Sequence, residues 1–421
     1  MLGLTDLTLK FDCLAGRHTV GLAVSGGPDS LALMLLAADW RRRQPIPPRL
    51  IVYSVDHGLR PEAADEVRFV VATAVRLGLD ARALRWDGPK PAAGRQAAAR
   101  AARYRLIGAA MAADGAELLL TAHHQDDQAE TVLMRLAHGS GLAGLRGMES
   151  HATVEGVPVF RPFLDVPRAA LAAVVARAGL TPVTDPSNAD PHYERSRWRA
   201  GLPGLAALGL DSAALAAFAR RAGEADAALG QWAETVLATA LRVDEFGAAS
   251  LPLPALAALP PAVQTKLLAR ILALVGGNRA PRQLGAVERL RDRLVGEPSL
   301  AGATIAGVAL SRRGAVIAFA REPGRQVAPA VTIPPGGQVE WDGRFRIAND
   351  GEAPIVVRPG DLTRRQAEAL LGRPVVSPAR AIRAAPLVLD DAGQVLALGE
   401  ASLDARISVG FFGFARGKSA T

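Results

Sequence analysis

Val20-Gly21-Leu22-Ala23-Val24-Ser25-Gly26-Gly27-Pro28-Asp29-Ser30-Leu31-Ala32-Leu33-Met34 is the stretch that decides the fold. An apolar run, a polar-flanked glycine pair and a second apolar run read as buried strand, tight turn and helix. A glycine turn at a helix start presents backbone N–H groups and the positive end of the helix dipole. Phosphate is the ligand that fits. No Gly-Lys-Ser/Thr follows the glycines, so the turn is not a Walker A loop.

Outward from this turn, residues 18–150 alternate apolar strands with Ala/Arg-rich helices. Segments 20–24, 50–55, 81–86 and 117–121 read as strands, and 30–43, 61–77, 94–113 and 127–137 as helices. Such alternation implies a parallel sheet covered on both faces. Its ligands bind beyond the carboxyl ends of the strands. The loops after the first, second and fourth strands therefore converge, and each carries a polar cluster.

The second-strand cluster is Asp56-His57-Gly58-Leu59-Arg60. Gly58 lets the chain turn close to a ligand, and Arg60 has the reach for a phosphate. A routine βα loop has the same ingredients. The fourth-strand cluster is His123-His124-Gln125-Asp126-Asp127-Gln128-Ala129-Glu130-Thr131. Asp127 and Glu130 are three apart and share a helix face. Asp126 and Asp127 also suit a helix N-terminus electrostatically. Simple capping, a metal held by His123 and Asp127, and a charged catalytic group all fit this pattern. Arg95, Arg100 and Arg103 lie on one helix, where a solvated face is the plainer reading. Asp185-Pro186-Ser187-Asn188, followed by Arg195, Arg197 and Arg199, reads alone as a polar loop with a basic flank.

The chain has 421 residues, long enough for two or three domains. Its 49% hydrophobic content and net charge of +8 fit a folded soluble protein. No apolar run reaches the roughly 18 residues that span a bilayer, and residues 1–10 lack a signal-peptide pattern. The single cysteine, Cys13, excludes an internal disulfide framework and any Cys-based metal site. A reducing cytoplasm is the expected home. Only Lys10, Lys90, Lys266 and Lys418 are lysines, so the positive charge is almost all arginine. Arginine binds phosphate bidentately and stacks on bases, which makes a nucleic acid a candidate partner.

Pro182 to Pro191 reads as a loop and Gly201-Leu202-Pro203-Gly204 as a boundary. Residues 211–241, 261–274 and 284–294 look helical. Runs at 304–319 and 332–347 look β-like. Residues 355–414 mix a helix at 363–371 with strands at 387–389 and 395–398. The expected domains are 1–208, 209–325 and 326–421.

Together these motifs resemble the tRNA(Ile)-lysidine synthases, within the ATP pyrophosphatases that carry an SGGxDS loop. The family pattern runs SGGxDS, DHGLR, an Arg-Tyr helix, HHxDDQAET, GLxGM, then DxSN before an arginine run. Here these are residues 25–30, 56–60, Arg103-Tyr104, 123–131, Gly144-Leu145-Arg146-Gly147-Met148, and 185–188 with Arg195 and Arg199. The match in order and spacing covers about the first 200 residues. The family's Asn in the late run is Ser196 here. Leu259-Pro260-Pro261 with Arg270 resembles the family's helical domain more weakly. Around Pro386-Leu387-Val388 and Gly399 the likeness is faint. The family's lysine-rich C-terminal signature is absent, with Arg364, Arg365, Arg380 and Arg383 in that region instead.

The resemblance implies an α/β fold: a parallel-sheet PP-loop (adenine nucleotide alpha hydrolase-like) N-terminal domain, a helical middle domain and a small α+β C-terminal domain. It implies a C–N ligase that adenylates the wobble cytidine of the CAU anticodon in tRNA(Ile) with ATP, then attaches L-lysine. Ser25, Gly26, Gly27, Pro28, Asp29, Ser30, Asp56, His57 and Arg60 would bind ATP, with Asp29 holding Mg²⁺. Asp29, Arg103, His124, Asp127 and Glu130 would be catalytic, and Asp127 and Glu130 would bind lysine. Arg195, Arg199, Arg364 and Arg365 would bind the tRNA. No membrane is implied, and the chain would act as a monomer or homodimer. A 2-thiocytidine-type thiolase is the main rival, and it needs cysteines beyond Cys13. Amide-forming relatives would bring a glutaminase domain. A non-catalytic tRNA-binding module would have no use for Asp127 and Glu130.

Overall fold

A computed structural model describes residues 4–91, 93–183, 190–277, 284–322 and 328–412. The chain divides into two compact units, Met1–Ala225 and Asp226–Thr421.

The first unit opens with α1 (Leu4–Leu9), β1 (Thr19–Ala23), α2 (Pro28–Arg42), β2 (Arg49–Asp56), α3 (Ala63–Arg76), β3 (Asp80–Arg85), α4 (Arg95–Asp114) and β4 (Leu118–Leu120). Next come α5 (Gln125–Ala137), α6 (Leu142–Leu145), β5 (His151–Val154), β6 (Val157–Phe160), α7 (Arg168–Arg177), α8 (Glu194–Ala207) and α9 (Ser212–Ala240). The strands form one sheet in the order β3-β2-β1-β4-β6-β5. All neighbours are parallel except the β5–β6 hairpin at the edge.

Alternation along β2 shows why both faces are covered. Leu50 and Val52 join Leu22, Leu120 and the α2 side chains Leu31 and Met34 in one core. Ile51 and Tyr53 face the other way, onto Leu119, Val159 and the α4 residues Tyr104, Ile107 and Met111. A period-two strand buried on both faces needs consecutive apolar residues, which Leu50–Tyr53 supply. The strand order reverses between β1 and β4, so the loops after these strands diverge and leave a crevice at the carboxyl edge. The four strands and four helices expected over 20–137 are all present, shifted by a residue or two at their ends.

Two readings change. Gly201-Leu202-Pro203-Gly204 is not a boundary but lies inside α8, with Pro203 in the helix interior. Long-range ion pairs from α8, described below, hold it against that break. Sheet β5–β6 and helix α7 extend the fold past the expected strands. The loop at 185–188 lies outside the described residues.

The division between the units falls within α9. In the second unit, helices Pro261–Val275 and Leu284–Gly296 pack on an antiparallel five-stranded sheet that contains the hairpin Val308–Arg313 and Val316–Arg321. A second five-stranded sheet includes Ile355–Pro359, Pro386–Leu389 and Val395–Leu398. Strands Gln338–Trp341, Phe345–Asn349 and Ile407–Phe411 form a third. Helices dominate the first part of the unit and antiparallel strands the last, but the strand Ala249–Pro252 precedes the helix Pro261–Val275, where only a helix break was expected. Among the described residues no single helix is long and apolar enough to cross a membrane.

Candidate active site

Three loops at the carboxyl edge of the first unit's sheet supply the site. The loop after β1 is closed by one hydroxyl. Ser30 Oγ donates to the Gly27 carbonyl at 3.0 Å and accepts from the Ser25 amide at 3.2 Å. Gly26 sits at φ +86°, where a side chain is strained, and a Cβ there would lie 3.0 Å from Val183 Cγ2. Gly27 caps α2 and Pro28 occupies its first turn. The first N–H groups of a helix lack partners within it, and the dipole puts partial positive charge there. Asp29, in the same turn, has one carboxylate oxygen buried without a hydrogen-bond donor.

The loop after β4 brings His124 against Asp29. His124 Nε2 stands 3.5 Å from Asp29 Oδ2 and 3.5 Å from Asp127 Oδ2. His124 also caps α5: its Nδ1 accepts from the Asp127 amide at 3.4 Å, and Asp127 Oδ2 accepts from the His124 amide at 3.0 Å. Capping and site chemistry are therefore not alternatives here. The same pair caps α5 and sets His124 against Asp29. Burial pulls the His124 pKa down, but the Asp29 contact and the charges of Asp127, Asp29 and Asp126 leave it raised. Asp127 is held below the usual carboxylate range: burial opposes this, and His124, Arg195 and His123 outweigh it. His123 behaves oppositely. Burial, helped by Arg161, Arg195 and Arg100, pushes its pKa down to about 4. It is neutral at physiological pH, with Nδ1 on the Thr121 hydroxyl at 2.9 Å.

Helix α8 supplies the remaining partners. Arg195 Nε donates to Glu130 Oε2 at 2.6 Å and its Nη2 to Asp127 Oδ1 at 2.7 Å. Arg199 donates to Glu130 Oε1 from Nε at 2.6 Å and to Oε2 from Nη2 at 3.1 Å. Glu130 is wholly buried, and two guanidinium groups are the condition for leaving a carboxylate there. An open cavity of about 470 Å³ adjoins the cluster, lined among others by His124, Asp126, Glu130, Arg168, Arg199 and Leu202.

The loop after β2 carries its own contacts. Asp56 Oδ1 accepts from the Gly58 amide at 2.7 Å, which fixes the turn. Arg60 Nη2 donates to both oxygens of Glu66 at 3.1 Å. Arg103, from α4, donates to His57 Nε2 from Nη2 at 3.1 Å. Solvent reaches the Arg103 side chain, yet surrounding protein crowds it enough that desolvation lowers its pKa. Asp29, His124, Asp127, Glu130, Arg195 and Arg199 thus form one connected group, whereas Asp56, Arg60 and the His57–Arg103 pair make separate contacts. Arg364 and Arg365 belong to the second unit. Both are exposed, and Arg364 donates to the Ser377 carbonyl at 2.8 Å.

The sequence reading passed over Arg168 and Arg161. Arg168, the first residue of α7, has Nε 3.7 Å from Asp29 Oδ1. Arg161, just after β6, is buried and donates to the Glu149 carbonyl at 2.7 Å. The signal was available: the apolar run 157–160 ends in an arginine at the same sheet edge as the other polar clusters. Among the described residues no group of three or more His, Cys, Asp or Glu could hold a metal ion alone.

A family model described as the PP-loop domain matches residues 5–204. The chain is 50% identical over 276 residues to the tRNA(Ile)-lysidine synthase of Rhodopseudomonas palustris, covering 65% of this chain and 79% of that protein. It is 48% identical over 316 residues to the enzyme of the same name from Methylobacterium nodulans, covering 73% and 91%. It is 36% identical over 385 residues to that of Brucella ovis, covering 87% and 84%.

Proposed function

The chain belongs to the tRNA(Ile)-lysidine synthase family, and from that premise we propose that it converts the wobble cytidine of a CAU-anticodon tRNA(Ile) to lysidine. It is an ATP-dependent C–N ligase that modifies tRNA. The observation that carries the residue-level reading is the junction at His124, which touches both the phosphate-loop acid Asp29 and the helix acid Asp127.

The reaction has two displacements. The cytosine C2 oxygen attacks the α-phosphorus of ATP, and pyrophosphate leaves. The ε-amine of free L-lysine then attacks C2, and AMP leaves with that oxygen. The N–H groups of the loop at residues 25–30 hold phosphate oxygens, and loop closure by Ser30 fixes them before ATP arrives. Asp56, His57 and Arg60 frame the nucleotide from the neighbouring loop. Asp29 suits Mg²⁺: it offers a buried oxygen that no donor satisfies, and Mg²⁺ takes one or two carboxylates beside phosphate oxygens. The ion, when bound, would neutralise charge on the leaving pyrophosphate. Arg103 adds a cation for charge building on the cytosine oxygen.

The amine half needs a deprotonated nucleophile. A lysine amine of pKa about 10.4 is free base in under roughly one part in a thousand at pH 7. Asp127 and Glu130 hold the ammonium, a carboxylate takes its proton to free the amine, and His124 carries that proton onward. The adjoining cavity has the mixed lining an amino acid requires: acids, guanidinium groups and the apolar side chain of Leu202. Arg195, Arg199, Arg364 and Arg365 serve the RNA, and the three expected domains divide catalysis from RNA holding. The cytoplasm, where ATP, lysine and tRNA coexist, is the place of action for a monomer or homodimer.

The test is incubation with ATP, labelled lysine and a CAU-anticodon tRNA(Ile) transcript. Label should enter the RNA with one AMP and one pyrophosphate per transfer, and a transcript with uridine at the wobble position should take none. ATP binding without transfer would overturn the reading in favour of a tRNA-binding module.

A further inference from the structure

The acid pair assigned to lysine is already occupied. Each of its four oxygens has a donor within the protein. Asp127 Oδ1 takes Arg195 at 2.7 Å and Oδ2 takes the His124 amide at 3.0 Å. Glu130 Oε1 takes Arg199 at 2.6 Å, and Oε2 takes Arg195 at 2.6 Å and Arg199 at 3.1 Å. A lysine ammonium entering this arrangement meets two guanidinium cations already seated on both carboxylates. Two cations already neutralise Glu130, and a third would add repulsion.

Helix α8, which carries both arginines, is a poor helix by its own sequence. Gly201 and Gly204 lower its propensity, and Pro203 removes the N–H that would bond the Arg199 carbonyl. It buries no side chain fully. Trp198, Leu202 and Leu205 make only partly buried contacts, against a core of Ala129, Val132, Leu133, Leu215 and Ala219. The strong contacts of α8 with α5 are therefore the ion pairs. Their guanidinium side chains keep 38% and 35% of their surface open to solvent, while Glu130 has none. The arginines can be reached from outside; the acid they cover cannot.

We propose that Arg195 and Arg199 stand in for the lysine ammonium while RNA is absent, and surrender the acids when RNA phosphates take the guanidinium groups. The exchange is chemically matched. A phosphate accepts the same two-pronged donation as a carboxylate, and the freed acids then take the substrate amine. Lysine and RNA binding become linked, and the two arginines are positioning residues that set the order of addition. This rests on Asp127 and Glu130 being the lysine-holding acids.

Linkage is reciprocal, so the test has two halves. Lysine affinity is measured by equilibrium dialysis without ATP, with and without an anticodon stem-loop RNA. RNA affinity is measured with and without lysine. The RNA should tighten lysine binding by about tenfold or more, as expected if the open form is a tenth or less of the RNA-free population. Lysine should tighten RNA binding by the same factor. Arg195→Gln and Arg199→Gln should tighten lysine binding without RNA and shrink both factors toward one. Arg199→Lys, which keeps the charge, should retain most of the linkage. If the glutamine variants do not fold, the wild-type factors still decide. Lysine binding that RNA leaves unchanged, in a protein that still transfers labelled lysine, overturns the exchange and leaves the synthase reading intact. Absence of any transfer overturns both.

Discussion

Glu130→Gln replaces a buried carboxylate with its neutral isostere and leaves the shape of α5 alone. Three donations reach this side chain, at 2.6, 2.6 and 3.1 Å. A hydrogen bond to a charged group contributes about 1.5–3 kcal/mol and a neutral one about 0.5–1.5, so each donation loses about 1 kcal/mol. The sum is about 3 kcal/mol. Both arginines are more than a third exposed, so solvent screens part of it, and a loss of about 2 kcal/mol is expected. That is about a thirtyfold change in the unfolding equilibrium. Urea titration of the full chain, followed by tryptophan fluorescence, should show the transition of the first unit move to lower urea with its slope unchanged. Lysine transfer should fall far more than pyrophosphate release. If stability stays within about 0.5 kcal/mol of wild type, the size of an ordinary surface substitution, then the guanidinium groups do not pair with Glu130 in solution. The site geometry would then need redrawing.

Asp127→Asn should impair lysine use more than adenylation, and equal loss of both in a pre-steady-state assay would sink its role as a lysine-holding acid. Gly26→Ala forces a side chain into φ +86° beside Val183; at about 1–2 kcal/mol of strain, KM for ATP should rise about fivefold or more, and an unchanged value would show that this loop does not hold phosphate. His123 titrates near 4 when folded against 6.5 ordinarily. As pH falls from 6.5 toward 4, the unfolded chain takes a proton that the folded protein refuses, so stability falls by up to about 3 kcal/mol. His123→Gln should flatten that slope, and a variant with the wild-type slope would assign the acid sensitivity to other groups.

The strand–turn–helix at the start of the sheet was legible because its signals are local: an apolar run, a glycine pair and a helical run in fifteen residues. The acid cluster was legible for the same reason, and fold logic told where it must lie. Helix α8 was not. Its Gly-Leu-Pro-Gly stretch is a strong local break, and what overrides it is pairing with acids 65 to 69 residues earlier. No periodicity in the sequence reports such a contact. Arg168 was hidden similarly, since its link to Asp29 joins the starts of two helices, α2 and α7, far apart in the chain. The occupation of Asp127 and Glu130 was also invisible: the motif names the acids but not what sits on them.

Among the described residues, the side-chain cations that pair with Asp29, Asp127 or Glu130 are arginines and His124. This has a consequence for chemoselectivity. An adenylated cytosine is an electrophile that any neighbouring neutral amine would attack. A lysine of the protein placed beside it would couple itself to the tRNA and end the enzyme's life after one turnover. Guanidinium stays protonated at every physiological pH and is no nucleophile. If these acids line the reaction site, arginine on them in place of lysine keeps a protein amine from that position, where it would compete with the arriving amino acid.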